Sequence, residues 1–321
     1  MMHILPLVLY PSFLCAALMG CAVLLQQNFS LFWTVSIPVV LFTSVLVVLE
    51  MRWPASGRRH ITRQQARVDL THGLLWHGFL PGFLKALVAA GCARTGGFIS
   101  TALGFSLWPS HWPAVLQLLL ALSVGEFFAY WIHRFGHETS IGWRIHALHH
   151  SPSELNALSA GRNHPINVTA SYLGQMVPLW MLGAPAEVLA FHAVFTGVNG
   201  PLQHVNLPFR CGALNWLLST PELHRWHHSK IISESNANYG SNLIVWDLLF
   251  KTRRIPKQNK EPAQYGLLHP FPQNFAEQLL WFYRGHQDSL QTHEKEKEKT
   301  HCGTDLTIIR SKGPQNACQQ I

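Results

Sequence analysis

Charge is what this sequence has least of. Only 12% of its 321 residues are Asp, Glu, Lys or Arg, where an ordinary soluble protein has about a quarter. Mean hydropathy is +0.11, and several apolar runs reach the roughly 20 residues a helix needs to cross hydrocarbon. Together these exclude an ordinary soluble domain and predict an integral membrane protein. Cysteine is scarce and scattered: the six residues at positions 15, 21, 92, 211, 302 and 318 form no CxxC pair. That excludes a disulfide framework, a zinc ribbon and an iron–sulfur pattern. The N-terminus lacks a basic stretch ahead of its long apolar run, so that run is expected to be a retained span and not a cleaved signal. No internal repeat is present. The net charge of +8 would suit nucleic acid, but the arginines cluster at the ends of apolar runs, where they set topology. No nucleic-acid partner is expected.

The apolar runs define the predicted organisation. Two strong spans, at about 4–25 and 31–50, flank the linker "QQNFS". The following segment carries Arg52, Arg58, Arg59, Arg63 and Arg67 against a single aspartate. By the positive-inside rule it is cytoplasmic. A weaker span at about 70–90 contains His72, His77 and Lys85, with a break expected at Pro81-Gly82 and an external loop over 91–112. Polar residues in such a span are expected to face the bundle interior or an aqueous cavity. A span at about 114–132 returns the chain to the cytoplasm just before His133. Residues 166–200 form two short apolar halves around "GAPA", a hairpin whose two ends emerge on one face whether it crosses or re-enters. "QNFAEQLLWFYRG" reads as an amphipathic interfacial helix. The fold class is therefore all-α: an integral membrane helical bundle of about four full spans plus a short apolar hairpin, with a cytoplasmic histidine-rich helical cap. The predicted domains are 1–110 (N-terminal spans and basic loop), 111–286 (catalytic) and 287–321 (a polar tail, expected to be disordered).

Histidine is abundant, and it is patterned. Five of the 18 residues from His133 to His150 are histidine, directly after an apolar run. Three clusters occur: HxxxH (His133, His137), HxxHH (His146, His149, His150) and a second HxxHH (His224, His227, His228). Positions i, i+3 and i+4 share one helical face, so each cluster aims its imidazoles into one volume. At this histidine content, a chance HxxHH is expected about 0.1 times per chain, so two copies with an HxxxH beside them argue against accident. Adjacent rings such as His149 and His150 point about 100° apart on a helix, which suggests two neighbouring ions and not one. His204 in "PLQHVN" and His164 in "NHP" flank the hairpin and are further ligand candidates. An isolated histidine such as His111 or His192 is expected to be structural.

Imidazole ligands usually pass their second N–H to a carboxylate, a carbonyl or water, which makes Glu126, Glu222 and Asp247 candidates for that role. A structural zinc takes four ligands and a hydrolytic zinc three, so this many histidines exceed one zinc ion. A nitrogen-dominated pair of sites suits redox-active iron. The Glu-plus-ExxH box of soluble di-iron bundles does not occur ahead of the polar tail.

The clusters and their surroundings resemble the fatty acid hydroxylase / sterol desaturase superfamily of membrane di-iron oxygenases. The resemblance rests on "YWIHRFGH", "WRIHALHHS", "NHP", "PLQHVNLP", "PELHRWHHS" and "NYGSNLIVWDLLFKT", across about residues 110–255. It implies metal ligation by His133, His137, His146, His149, His150, His204, His224, His227 and His228, with His164 an optional member. It also implies two iron ions, O₂ as co-substrate, and oxidation of an unactivated C–H bond of a lipid (sterol, fatty acyl or related) to an alcohol or alkene. Neither an HPGG-type haem motif nor a GxGxxG fingerprint occurs. A separate electron donor is therefore expected, cytochrome b5 or ferredoxin with an NAD(P)H reductase. The membrane is the inner one in a bacterium or the endoplasmic reticulum in a eukaryote. The same fold could act as an ether-lipid monooxygenase or an aldehyde decarbonylase. A non-catalytic metal-binding or transport protein is the more distant alternative, since transporters place their sites near mid-membrane.

Overall fold

The computed structural model describes residues 5–55, 61–256 and 261–284; the predicted tail over 287–321 lies outside them. Among the described residues the chain is all-helical, with two isolated β-bridges and no strand. Helices α1 (Leu5–Gln26) and α2 (Leu31–Arg52) form an apolar hairpin. Helix α3 (Arg63–His72) starts at a capping box, in which Thr62 and Gln65 satisfy each other's backbone N–H groups that a helix start otherwise leaves bare.

At Pro81 the structure differs from the sequence expectation. The helix is not broken there. A π-helical stretch, Gly73–Phe79, widens the turn, and Pro81 falls in the first turn of α4 (Leu80–Leu103), where its missing N–H costs nothing. The helix then runs on through most of the predicted 91–112 loop and stops at Gly104, whose φ of +73° suits glycine. Of the polar residues in this span, His72 is buried as expected, whereas Lys85 and His77 are exposed.

Four helical stretches are long and apolar enough to cross a membrane: Leu7–Gln26, Leu31–Arg52, Arg63–Leu103 and Ala114–Glu138. They leave Phe32, Val48, Phe79, Phe83, Phe98 and Val115 exposed, an apolar surface suited to lipid contact. The predicted hairpin forms two helices, α7 (Pro165–Leu182) and α8 (Ala186–His204), which turn at Gly183 with φ of +79°. Helix α7 packs on α4 and α5, and α8 packs on α1 and α2. The largest core cluster joins Tyr10, Leu14 and Leu46 to Leu122, Val194 and Val198. Tyr10 also donates a hydrogen bond of 2.7 Å to Asn199 Oδ1 inside it.

Helix α5 (Ala114–Glu138) is joined to α6 (Ser140–His150) by Thr139 alone. The Thr139 hydroxyl caps α6 by accepting from Gly142 N–H at 3.1 Å. A Cβ on Gly142 would sit 2.3 Å from the Phe135 carbonyl, so only glycine permits so sharp a reversal. That reversal folds the α5 histidines against the α6 histidines. Three short helices, α9 (Pro221–His227), α10 (Ile232–Ser235) and α11 (Val245–Leu249), and the amphipathic α12 (Phe275–Arg284) complete the cap.

Candidate metal centre

Nine histidines converge at one end of this bundle, in two groups. The first is His133, His137, His146, His150 and His227; the second is His149, His204, His224 and His228. Within each group the candidate ligand nitrogens all lie within 4.8 Å of one another. Adjacent His149 and His150 fall into different groups, as their angular separation on α6 dictates. The groups touch: the His150 and His228 rings stack with centroids 4.3 Å apart. His133 is partly buried and the other eight are buried.

Local structure explains the convergence. His133 and His137 occupy the last two turns of α5, and His146, His149 and His150 lie on the α6 face that the Thr139 turn brings against them. Gly136 keeps the two helices close, since a Cβ there would come within 3.2 Å of His146. His204 ends α8. The Thr220 hydroxyl caps α9, and Pro221 opens its first turn, so that His224 and His227 project together.

The hydrogen bonds fix which nitrogen faces inward. The Nδ1 of His133 donates to the Tyr239 carbonyl at 2.7 Å, that of His227 to Ala237 at 2.8 Å, and that of His204 to Gly200 at 2.9 Å. A carbonyl only accepts, so each of these Nδ1 atoms carries the proton and each Nε2 presents a bare lone pair. The His137 and His146 Nδ1 atoms face the Oδ1 atoms of Asn236 and Asn167 at 3.2 and 3.4 Å. The His149 Nδ1 faces the Arg162 carbonyl at 3.2 Å.

Inside the groups, His133 Nε2 lies 3.0 Å from His146 Nε2, and His204 Nε2 lies 3.2 Å from His224 Nε2. Nitrogens this close share either one ring proton or one cation. Two imidazoles bound at right angles to one ion, at a metal–nitrogen bond of about 2.1 Å, stand about 3.0 Å apart. The buried His227 Nε2 has no hydrogen-bond partner among the described residues. An orphan like this costs about 1–3 kcal/mol, which a bound cation would recover. Burial above all, with neighbouring imidazoles adding to it, holds His146, His149, His150, His224, His227 and His228 well below the ordinary histidine pKa. These rings are therefore neutral at pH 7, the form that ligates.

The remaining sequence candidates stand elsewhere. His164 belongs to neither group. Its Nδ1 accepts from Ile166 N–H at 3.3 Å, capping α7, and its ring packs on Phe282. Among the described residues no hydrogen bond joins Glu126, Glu222 or Asp247 to a histidine, because all three carboxylates are spent on backbone amides and other polar groups. Glu126 accepts from the amides of Ser241 and Asn242. Asp247 accepts from the amides of Tyr239 and Gly240 at 2.8 and 2.7 Å, and burial pushes its carboxyl up from the usual aspartate range. Both thus fix the loop whose Tyr239 carbonyl holds His133, one step removed from the ring. Glu222 accepts from Cys211 N–H and Asn215 Nδ2, away from the rings.

The groups that do touch the rings were not foreseen as such. They are backbone carbonyls together with Asn163, Asn167 and Asn236. Arg162, whose carbonyl faces His149, is anchored by a buried 2.5 Å pair with Asp69 of α3. The asparagines stand in polar segments beside the clusters, which is the one signal the sequence offered. Carbonyl acceptors leave none.

Imidazoles gathered in this way at the end of a bundle with four helices long and apolar enough to cross a membrane form two groups that could each hold a metal ion. Comparison with known proteins agrees. The sequence model of the fatty acid hydroxylase family matches residues 118–252. The ornithine lipid hydroxylase OlsE of Rhizobium tropici is 32% identical over 273 residues, covering 84% of this chain and 82% of that protein. The alkylglycerol monooxygenases of Xenopus tropicalis and Homo sapiens are each 34% identical over 163 residues, 51% of this chain but 34% and 35% of those longer proteins. The chain belongs to the fatty acid hydroxylase family. No solved structure matches it.

Proposed function

We propose that this protein is an O₂-dependent membrane lipid hydroxylase in which the nine grouped histidines hold two irons. The observation that carries this reading is the convergence of nine neutral imidazoles, from four separate segments, into two adjoining groups. Five nitrogens in one group exceed the four ligands of a structural zinc, and an all-imidazole donor set suits iron. When bound, the iron pair supplies O₂ activation: with two external electrons and two protons, one oxygen enters a C–H bond and the other leaves as water.

The chain's own residues do the rest. Carbonyls and asparagines hold the rings with Nε2 inward, and the surrounding apolar helices exclude water. Residues 111–286 act as the catalytic unit, with the centre on the cytoplasmic face, as the arginines flanking the spans support. A separate carrier of the cytochrome b5 or ferredoxin type delivers the electrons. His164 caps a helix and is left out of the ligand set. The similarity to OlsE supports a polar membrane lipid as substrate.

Metal analysis of the purified protein together with lipidomics under ¹⁸O₂ tests this. About two irons per chain and an ¹⁸O-labelled hydroxyl are expected. A two-hydrogen loss without label would replace hydroxylation with desaturation, and a protein that binds no iron would sink the reading. A second reading, oxidation of an ether lipid, is favoured by the alkylglycerol monooxygenase similarity. Turnover of an added alkylglycerol would select it.

A further inference from the structure

Beside the five-histidine group lies a cavity of about 300 Å³, within the size range of small-molecule sites. His150 is among its lining residues, and its walls include Trp143, Leu267, Phe271 and Trp281, which belong to one apolar cluster. Among the described residues lining it, Lys230 is the single lysine or arginine, and no carboxylate is present. Lys230 is held against the wall by its backbone N–H, which donates 2.9 Å to the Gln264 carbonyl. Arg134, Arg162 and Arg225 are each paired with a carboxylate, whereas Lys230 makes no ion pair with any described residue. One wall of the cavity is formed by α12. Trp281 comes from the buried side of α12, the helix that exposes Leu280 and Tyr283.

The geometry points to a binding site for the anionic end of an amphiphilic substrate, a carboxylate or phosphate on an apolar chain, with Lys230 as its counter-charge. This rests on reading the histidine centre as the oxidising site. The aromatic walls take the apolar part out of water, and His150 marks where that part meets the centre. An anion entering such a place loses hydration and needs a cation or donors in return. Lys230 is the free cation at hand among the lining residues. A neutral lipid of the same length gains nothing from it, so the site selects for charge as well as for chain.

The test is binding without turnover. The iron-loaded full chain in nanodiscs, without O₂ or reductant, is labelled with diazirine analogues of palmitate and of hexadecanol, and the cross-links are mapped by mass spectrometry. The palmitate probe is expected to label residues 266–271 or Trp281. Lys230→Gln is expected to weaken that labelling by about tenfold and to leave the hexadecanol probe unchanged, while Lys230→Arg retains it. Competition by unlabelled palmitate or by hexadecyl phosphate identifies the preferred anion. Labelling confined to the spans, equal loss of both probes in Lys230→Gln, or competition by neither anion overturns the proposal. A parallel ¹⁸O₂ turnover separates the two failures. Label incorporation without cavity labelling removes this site alone, and cavity labelling without incorporation removes the hydroxylase reading alone.

Discussion

In the five-histidine group, four rings (His133, His137, His146 and His227) face an outer oxygen, on Tyr239, Asn236, Asn167 and Ala237. In the four-histidine group only His149 and His204 face such an oxygen, while His224 Nδ1 and His228 Nδ1 have no hydrogen-bond partner among the described residues. The first group is thus oriented before any ion arrives, and the second is oriented in part. Rings already aimed lose less freedom when they bind, so the first group is expected to hold its iron more tightly than the second.

Removing a ring gives the largest expected effect. His146→Ala takes away the imidazole between His133 and His150, and is expected to cost one iron and at least about 100-fold in product. His228→Ala is expected to cost the other iron and leave the first group loaded. Metal counts on the two variants, titrated with a chelator, check this. If both irons leave at the same chelator concentration in the unmodified protein, the groups are equivalent and the comparison fails.

A smaller effect is expected from Asp247→Asn, which loosens the loop carrying the Tyr239 carbonyl without touching a ring. It is expected to weaken one iron by about 10- to 100-fold and leave the other unchanged. Equal weakening of both would make Asp247 a general stabiliser and nothing more specific.

Acidity acts on both groups at once. The folded metal-free chain keeps six of these rings well below the ordinary pKa of 6.5, so below that pH the unfolded chain takes up protons that the folded chain refuses. Stability is therefore full above about pH 6.5 and falls as the pH drops. Thermal melts of the metal-free protein between about pH 7.5 and 5.5 are expected to show a declining Tm. A flat profile would mean the rings are reached by water.

The legible part of the molecule follows from periodicity. Apolar runs gave four spans, and the i, i+3, i+4 spacing gave faces on which imidazoles meet, down to the parting of His149 from His150. What escaped depends on contacts between distant segments. The π-helical turn before Pro81 arises where Gly73 passes Gly161, whose added Cβ would come 2.9 Å from Gly73 Cα. The carbonyls that orient the rings carry no side-chain signature at all. Nor does a linear pattern show that Glu126 and Asp247 act through loop amides, one step removed from the rings.

Glu50 carries a last consequence. It sits near the end of α2, largely buried, and accepts from the amides of Ala157 and Asn206, at 3.1 and 3.2 Å. Those two amides border the histidine segments, so the first helical hairpin is joined to the chemistry by a clamp as well as by packing. An expression fragment cut down to the family-matched stretch would strand both amides at an unfilled seam. Trimming toward a minimal enzyme therefore has a floor, and that floor includes the two helices least like a catalyst.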